Sequence, residues 1–188
     1  MKLPILSYGQ PLLRKIAAPI DKDYPELKQL IADMFETMYS SKGVGLAAPQ
    51  IGLSIRLIVV DTSPFDDDYP DGKDFKQVLI NPKITEFSGN DWTFNEGCLS
   101  VPDLREDVVR KENIHLEYYD ENFVFHSEEF NGIRSRVIQH EYDHLEGVLF
   151  VDKVSSLKKM LIKRRLNDIT KGIVTHSYKM IFPVQKKI

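Results

Sequence analysis

Cysteine is almost missing from this chain: one residue in 188, Cys98, which excludes an internal disulfide framework. That lone thiol is either a small buried apolar residue or a chemical group. Long apolar runs are missing too, and none reaches the ~20 residues a membrane-crossing helix needs. Met1–Tyr8 holds too short an apolar run for a secretory signal, and it lacks the Arg- and Ser-rich character of a transit peptide. A cytoplasmic protein with no membrane partner is therefore expected. Internal repeats, low-complexity tracts and linkers are absent as well, so residues 1–188 are expected to form one domain.

What is present is ordinary in amount and uneven in placement. A hydrophobic content of 42% with 28% charged residues belongs to the globular class. Net charge is only −3, yet Lys153–Ile188 holds ten Lys or Arg and a single acid, Asp168. A basic C-terminal extension on an acidic body fits a polyanionic partner such as nucleic acid. A solvated helix face followed by a positively charged chain end fits it slightly better.

The strongest local signal is Gln139-His140-Glu141-Tyr142-Asp143-His144. On a helix, residues four apart project from one face a turn apart, so His140 and His144 can clamp one metal ion. Glu141 lies beside the clamp, where a carboxylate can take a proton from water without being a ligand. Ile133, Val137, His140 and His144 form a single helical stripe, so the imidazoles continue an apolar face and look inward. Gly147 is placed to end that helix. The bland alternative is a pair of core histidines satisfied by backbone carbonyls. A catalytic metal also needs a third protein ligand and an open position. Cys98, in Glu96-Gly97-Cys98-Leu99-Ser100, is a chemically sound third ligand.

The other elements follow from periodicity and punctuation. A short helical turn is expected in 10–17 with Pro11 at its first position, and a helix over 25–39 with Asp23 as a possible cap. Gly43–Gly52 is small, apolar and irregular, which lets backbone approach a ligand; its one polar side chain is Gln50. It lacks the Lys-Ser/Thr of a phosphate loop. Arg56–Asp61 reads as a strand. Residues 63–76, with five aspartates, read as a surface loop. Gln77–Ile84 reads as a strand near a sheet edge, because Asn81-Pro82 interrupts it. Residues 113–119 and 123–130 form a β-hairpin, with Phe123 and Phe125 on one face. His115 and His126 there are strand residues. Ser156–Thr170 is a basic helix with Leu157, Met160, Leu161 and Leu166 as its apolar side, and 173–183 alternates like a terminal strand. The class is α+β: one domain of mixed or antiparallel sheets packed around a central HExxH-bearing helix.

Three of these stretches, Gly43–Gly52, Glu96–Ser100 and Gln139–Gly147, resemble the signature motifs of bacterial peptide deformylases, in the same order. The resemblance extends over Leu12-Leu13-Arg14 and the hairpin, about residues 1–152. Gln10 stands where many relatives have Asp. The acidic loop is longer than in compact members, and the tail ends in an expected strand where many end in a long helix. The resemblance implies a hydrolase that removes the formyl group from the initiator methionine of nascent proteins, releasing formate. It makes Cys98, His140 and His144 the ligands of one divalent metal, Fe2+ in most members, with Zn2+, Ni2+ or Co2+ able to replace it. It makes Glu141 the general acid/base, and the Gln50 amide and Leu99 N–H the donors to the carbonyl oxygen. Val44, Ile133 and Val137 are then candidates for the methionine pocket, Gly43 and Gly45 for pairing with substrate backbone. Glu96 and Asp143 are candidates for orienting the metal-bound imidazoles. The implied partners are an N-formyl-methionyl peptide and, through the basic extension, the ribosome.

Two rivals remain at this level. A zinc endopeptidase would draw its third ligand from downstream, where Asp152, Asp168 and His176 are available. An RNA-binding module with a structural metal would close its site with a fourth protein ligand.

Overall fold

In the computed structural model, which describes residues 1–65 and 68–183, the chain starts with β1 (Ile5–Leu6), a 3₁₀ turn (Pro11–Arg14) and α1 (Leu27–Ser40). It continues through β2 (Gly45–Ala47), a 3₁₀ turn (Ala48–Ile51), β3 (Leu57–Asp61), β4 (Lys76–Cys98), β5 (Val101–Tyr119) and β6 (Phe125–Phe130). The last elements are α2 (Gly132–Leu145), α3 (Ser156–Thr170) and β7 (Met180–Ile181). Strands β2-β3-β4-β5-β6 form an antiparallel sheet in sequence order, and β1 pairs with β7 in parallel. The architecture is α+β, with α2 against the sheet, as expected.

The unbroken apolar run Leu57–Val60 of β3 has a simple cause. Its side chains alternate between faces, and both faces are covered. Ile58 and Val60 pack with Val137, Ile138 and Leu145 of α2, whereas Leu57 and Val59 pack with Ile31, Met34 and Met38 of α1. Each such side chain fully buried contributes about 1.5–3 kcal/mol. A third cluster joins Val101 and Val108 of β5 to Leu149, Phe150, Val151, Ile162 and Ile169.

The metal-motif helix is fastened at both ends. Asp71, from the acidic loop, accepts the Ile133 N–H at 2.8 Å and caps the α2 N-terminus from a distant part of the chain. At the other end Val148 N–H donates to Asp143 O (2.9 Å) and Gly147 N–H to His144 O (3.4 Å), with Gly147 at φ 69°. That is a Schellman ending, and it needs the left-handed residue that Gly147 supplies.

Several expectations are corrected. Gln77–Ile84 is no edge strand: it belongs to the 23-residue β4, which lies between β3 and β5. The Asn81-Pro82 interruption is absorbed by a register shift between Ile80 and Lys83, Asn81 taking φ 51° while its amide bonds both N–H and C=O of Ile20. Phe123 sits in the turn at φ 57°, and the strand starts only at Phe125. Asp23 does not cap α1; Glu26, at φ 54°, holds that position with no side-chain bond. Only Met180–Ile181 of the expected terminal strand pairs. In α3, Leu166 packs inward as expected, but Leu157, Met160 and Leu161 are exposed, and Ile162 and Ile169 pack inward in their place. Of the acidic loop, Asp66 and Asp67 lie outside the described residues, as do residues 184–188 of the basic extension.

Candidate metal centre

The site forms where the tip of the β4–β5 hairpin meets α2. Cys98 is the last residue of β4, and α2 brings His140 and His144 to the same point. One ligand atom from each of the three lies within 4.8 Å of the others. The Cys98 Sγ and His144 Nε2 are 3.3 Å apart. His140 Nδ1 donates to Glu96 Oε2 at 2.8 Å, so its Nε2 is left for a metal.

Beneath the trio lies a buried ion network. Arg110 grips Glu96 with Nε and Nη2 (2.7 and 2.9 Å), Arg136 Nη1 adds a third contact (3.0 Å), and Arg110 Nη1 also reaches Asp143 (2.7 Å). Burial works against the charge on Glu96, but hydrogen bonds from Arg110 and His140 override it and hold the carboxyl far below its usual range. Arg136 also lies against the Trp92 ring, 4.7 Å from its centroid. Glu96 therefore fixes the His140 tautomer, whereas Asp143 acts one step away through Arg110.

Glu141 is buried between α2 and β2, and burial pushes its carboxyl up to about 7. Its Oε2 and the Nδ1 of His144 are buried without a hydrogen-bond partner. Burial, with the Arg110 guanidinium nearby, drives the His144 imidazole to its neutral form, the form that ligates. A thiolate and two imidazoles converging from two elements suit a borderline-soft divalent cation. The donor set fits.

A cavity of about 700 Å³ opens onto these groups. Gln50 is fixed at its edge: Oε1 accepts the Ala47 N–H (2.8 Å), while Nε2 lies 3.3 Å from Ser100 Oγ and 3.6 Å from Cys98 Sγ. Gly43, Val44, Gly45 and Leu99 line the same cavity.

A sequence model of polypeptide deformylases matches residues 2–160. A peptide deformylase of Flavobacterium johnsoniae is 55% identical over all of this chain and 99% of its own length. One from Chlorobaculum parvum is 46% identical over 95% of this chain and 93% of its own. Among solved structures, a Legionella pneumophila peptide deformylase superposes with TM-score 0.78 at 39% identity, covering 92% of this chain and 98% of that one. Arabidopsis thaliana peptide deformylase 1B, crystallised with an inhibitor, gives 0.81 at 36% identity over 91% and 92%.

The chain belongs to the polypeptide deformylase family. As a peptide deformylase it removes the N-formyl group from nascent peptides, and the family's metal dependence agrees with the Cys98-His140-His144 cluster. The endopeptidase alternative has no such support. Asp152 is engaged by Arg14 and the Leu149 N–H, and among the described residues no downstream group joins the cluster.

The deformylase site gathers most of the residues named from the sequence, with one exception. Val44 and Val137 line the cavity, but Ile133 is fully buried and turns away from it, with a side-chain methyl against Gly72. Pro64, Phe65, Phe94 and Arg136 line the wall instead. Arg110 and Arg136 were missed because an isolated Arg reads as a surface residue. The Trp92-x-Phe94-x-Glu96 alternation was the one available sign that this stretch is a strand facing something.

Proposed function

We propose that Cys98, His140 and His144 hold one divalent cation, Fe2+, for removal of formyl from N-formyl-methionyl peptides in the cytoplasm. The observation that carries this assignment is the convergence of the three ligand atoms within 4.8 Å beside the buried Glu141. When bound, the cation supplies Lewis acidity, which brings water ionisation toward neutral pH and polarises the formyl carbonyl. Zn2+, Ni2+ and Co2+ suit the same donors.

The chain's own residues do the remaining work. Glu141 takes the proton of the attacking water and returns it to the departing amine, for which a carboxyl poised near neutrality is suited. Negative charge that develops on the formyl oxygen is met by the Gln50 amide and the Leu99 N–H, both from residues that line the cavity. One such donor contributes about 10²–10³ in kcat. The methionine side chain enters between Val44 and Val137, with Phe94 behind. Gly45, on the outermost strand of the five-stranded sheet, and Gly43 just before it offer backbone to the substrate.

The test is formate release from a formyl-Met peptide by anaerobically prepared Fe2+ protein, beside Glu141→Ala and Cys98→Ala. Glu141→Ala should keep its metal and lose turnover, while Cys98→Ala should lose the metal. Metal retained by Cys98→Ala would remove the cysteine from the ligand set. The basic extension is proposed to hold the enzyme near the ribosome. Lys159, Lys163 and Arg164 are exposed on α3, and replacing all three by Ala should weaken salt-dependent co-sedimentation with ribosomes.

A further inference from the structure

The turn that carries the site cannot hold its own shape. Cys98 ends β4 and Val101 begins β5, so Leu99 and Ser100 alone make the connection. Two-residue hairpin turns match strand twist when their residues adopt positive φ. Neither Leu99 nor Ser100 does so. The ladder behind the turn is broken as well: Gly97 pairs with Arg105 but Cys98 with Val101, and Asp103 in the intervening bulge stands at φ 56°.

Outside contacts hold the turn instead. Tyr8 N–H donates to Ser100 O at 2.7 Å, and Gln50 Nε2 reaches Ser100 Oγ. The Leu99 carbonyl accepts from the Tyr178 hydroxyl at 2.7 Å, across 79 positions of sequence. Tyr178 is itself fixed, because β7 begins two residues later and pairs with β1, where Ile5 N–H donates to Lys179 O at 2.9 Å. Thr175–Tyr178 thus form part of the lining of the cavity.

We propose that Tyr178 is a positioning residue for deformylation: by holding the Leu99 carbonyl it aims the Leu99 N–H at the formyl oxygen. The carbonyl and the N–H flank one Cα, so fixing the first restricts the rotation that would swing the second away. The inference rests on the assignment of the Leu99 N–H as a donor. It gives the C-terminal segment a part in the chemistry that is separate from any part in docking.

The experiment compares wild type with Tyr178→Phe in the full, metal-loaded chain. The substitution removes one oxygen and leaves the ring to pack. Kinetics are read with metal content and with hydrogen exchange by mass spectrometry. A kcat about tenfold lower is expected, short of the ~10²–10³ for complete loss of a donor. KM should stay within about twofold and metal content should be unchanged. Exchange at the Cys98–Val101 turn should rise about tenfold, while the α2 amides hold steady. An unchanged kcat, a kcat that falls only with metal content, or unchanged exchange at the turn would each overturn the proposal. Wild-type protein inert toward formyl-Met peptides would overturn the role assignments instead, and the clamp would then stand or fall on the exchange data.

Discussion

A Cβ added to Gly45 would lie 2.5 Å from Oε1 of Glu141 and 2.7 Å from its Cγ. The glycine is thus required by the side chain of the proposed acid/base, which fills the space a Cβ would take. Gly45→Ala should push the Glu141 carboxylate out of place and lower kcat by about 10²-fold, in line with the loss of a positioned proton-transfer group. Metal content should hold, because the three atoms nearest the added Cβ all belong to Glu141. Steady-state kinetics with metal analysis would check this, and full activity would mean that Glu141 moves freely.

Glu96 is the next residue to test, since it joins Arg110, Arg136 and His140. Glu96→Ala leaves Arg136 without a carboxylate partner and Arg110 with Asp143 alone, and should cost about 3–5 kcal/mol of stability. It also frees the His140 ring, for which a 10–100-fold loss of metal affinity is expected. Glu96→Gln keeps an acceptor for His140 and should lose less of both. Denaturant titration of the apo protein separates the first effect from the second, which competition with a chelator would read.

Asp71 should matter for stability and little for chemistry. Its carboxylate caps α2 through the Ile133 N–H, seven residues before His140. Asp71→Ala should cost about 1 kcal/mol, the usual value of a helix cap. Loss of several kcal/mol would show that the acidic loop does more than cap the helix.

Asp61 predicts a defined acid sensitivity. Burial raises its carboxyl, but hydrogen bonds from Ser63, Tyr39 and the Ser63 N–H prevail and lower it below the usual value. A carboxyl lowered on folding stabilises the fold above its unfolded pKa of about 3.9, and that contribution is lost as pH falls through the folded value. Asp61→Asn should therefore be less stable than wild type near neutrality, with the gap narrowing below about pH 4. A gap that stays constant with pH would show that the charge is not what stabilises.

The parts of this protein legible in the sequence are those carried by short spacings. His140 and His144, four apart on a helix, share a face whatever surrounds them, and Leu57–Val60 form a strand because β-branched and apolar residues run together. Three motifs in order were enough to indicate the family. Of the 23- and 19-residue strands β4 and β5 only 77–84 and 113–119 were legible, since much of the remaining length is exposed and charged. In α3 two stripes compete: Leu157, Met160 and Leu161 repeat with helical spacing, and so do Ile162, Leu166 and Ile169. Only the third cluster, built on Val101, Val108 and Leu149, selects the second stripe.

The sequence by itself therefore determined the pair of imidazoles, the helix that presents them and the carboxylate between them, because each depends on neighbours within a turn of helix. Tertiary structure alone decided what surrounds them. It brought Glu96 to His140 across 44 positions, Asp71 to Ile133 across 62 and Tyr178 to Leu99 across 79. Such pairs leave no trace in local spacing. Each forms only once sheet pairing and core packing have offset the entropy of closing the chain between them.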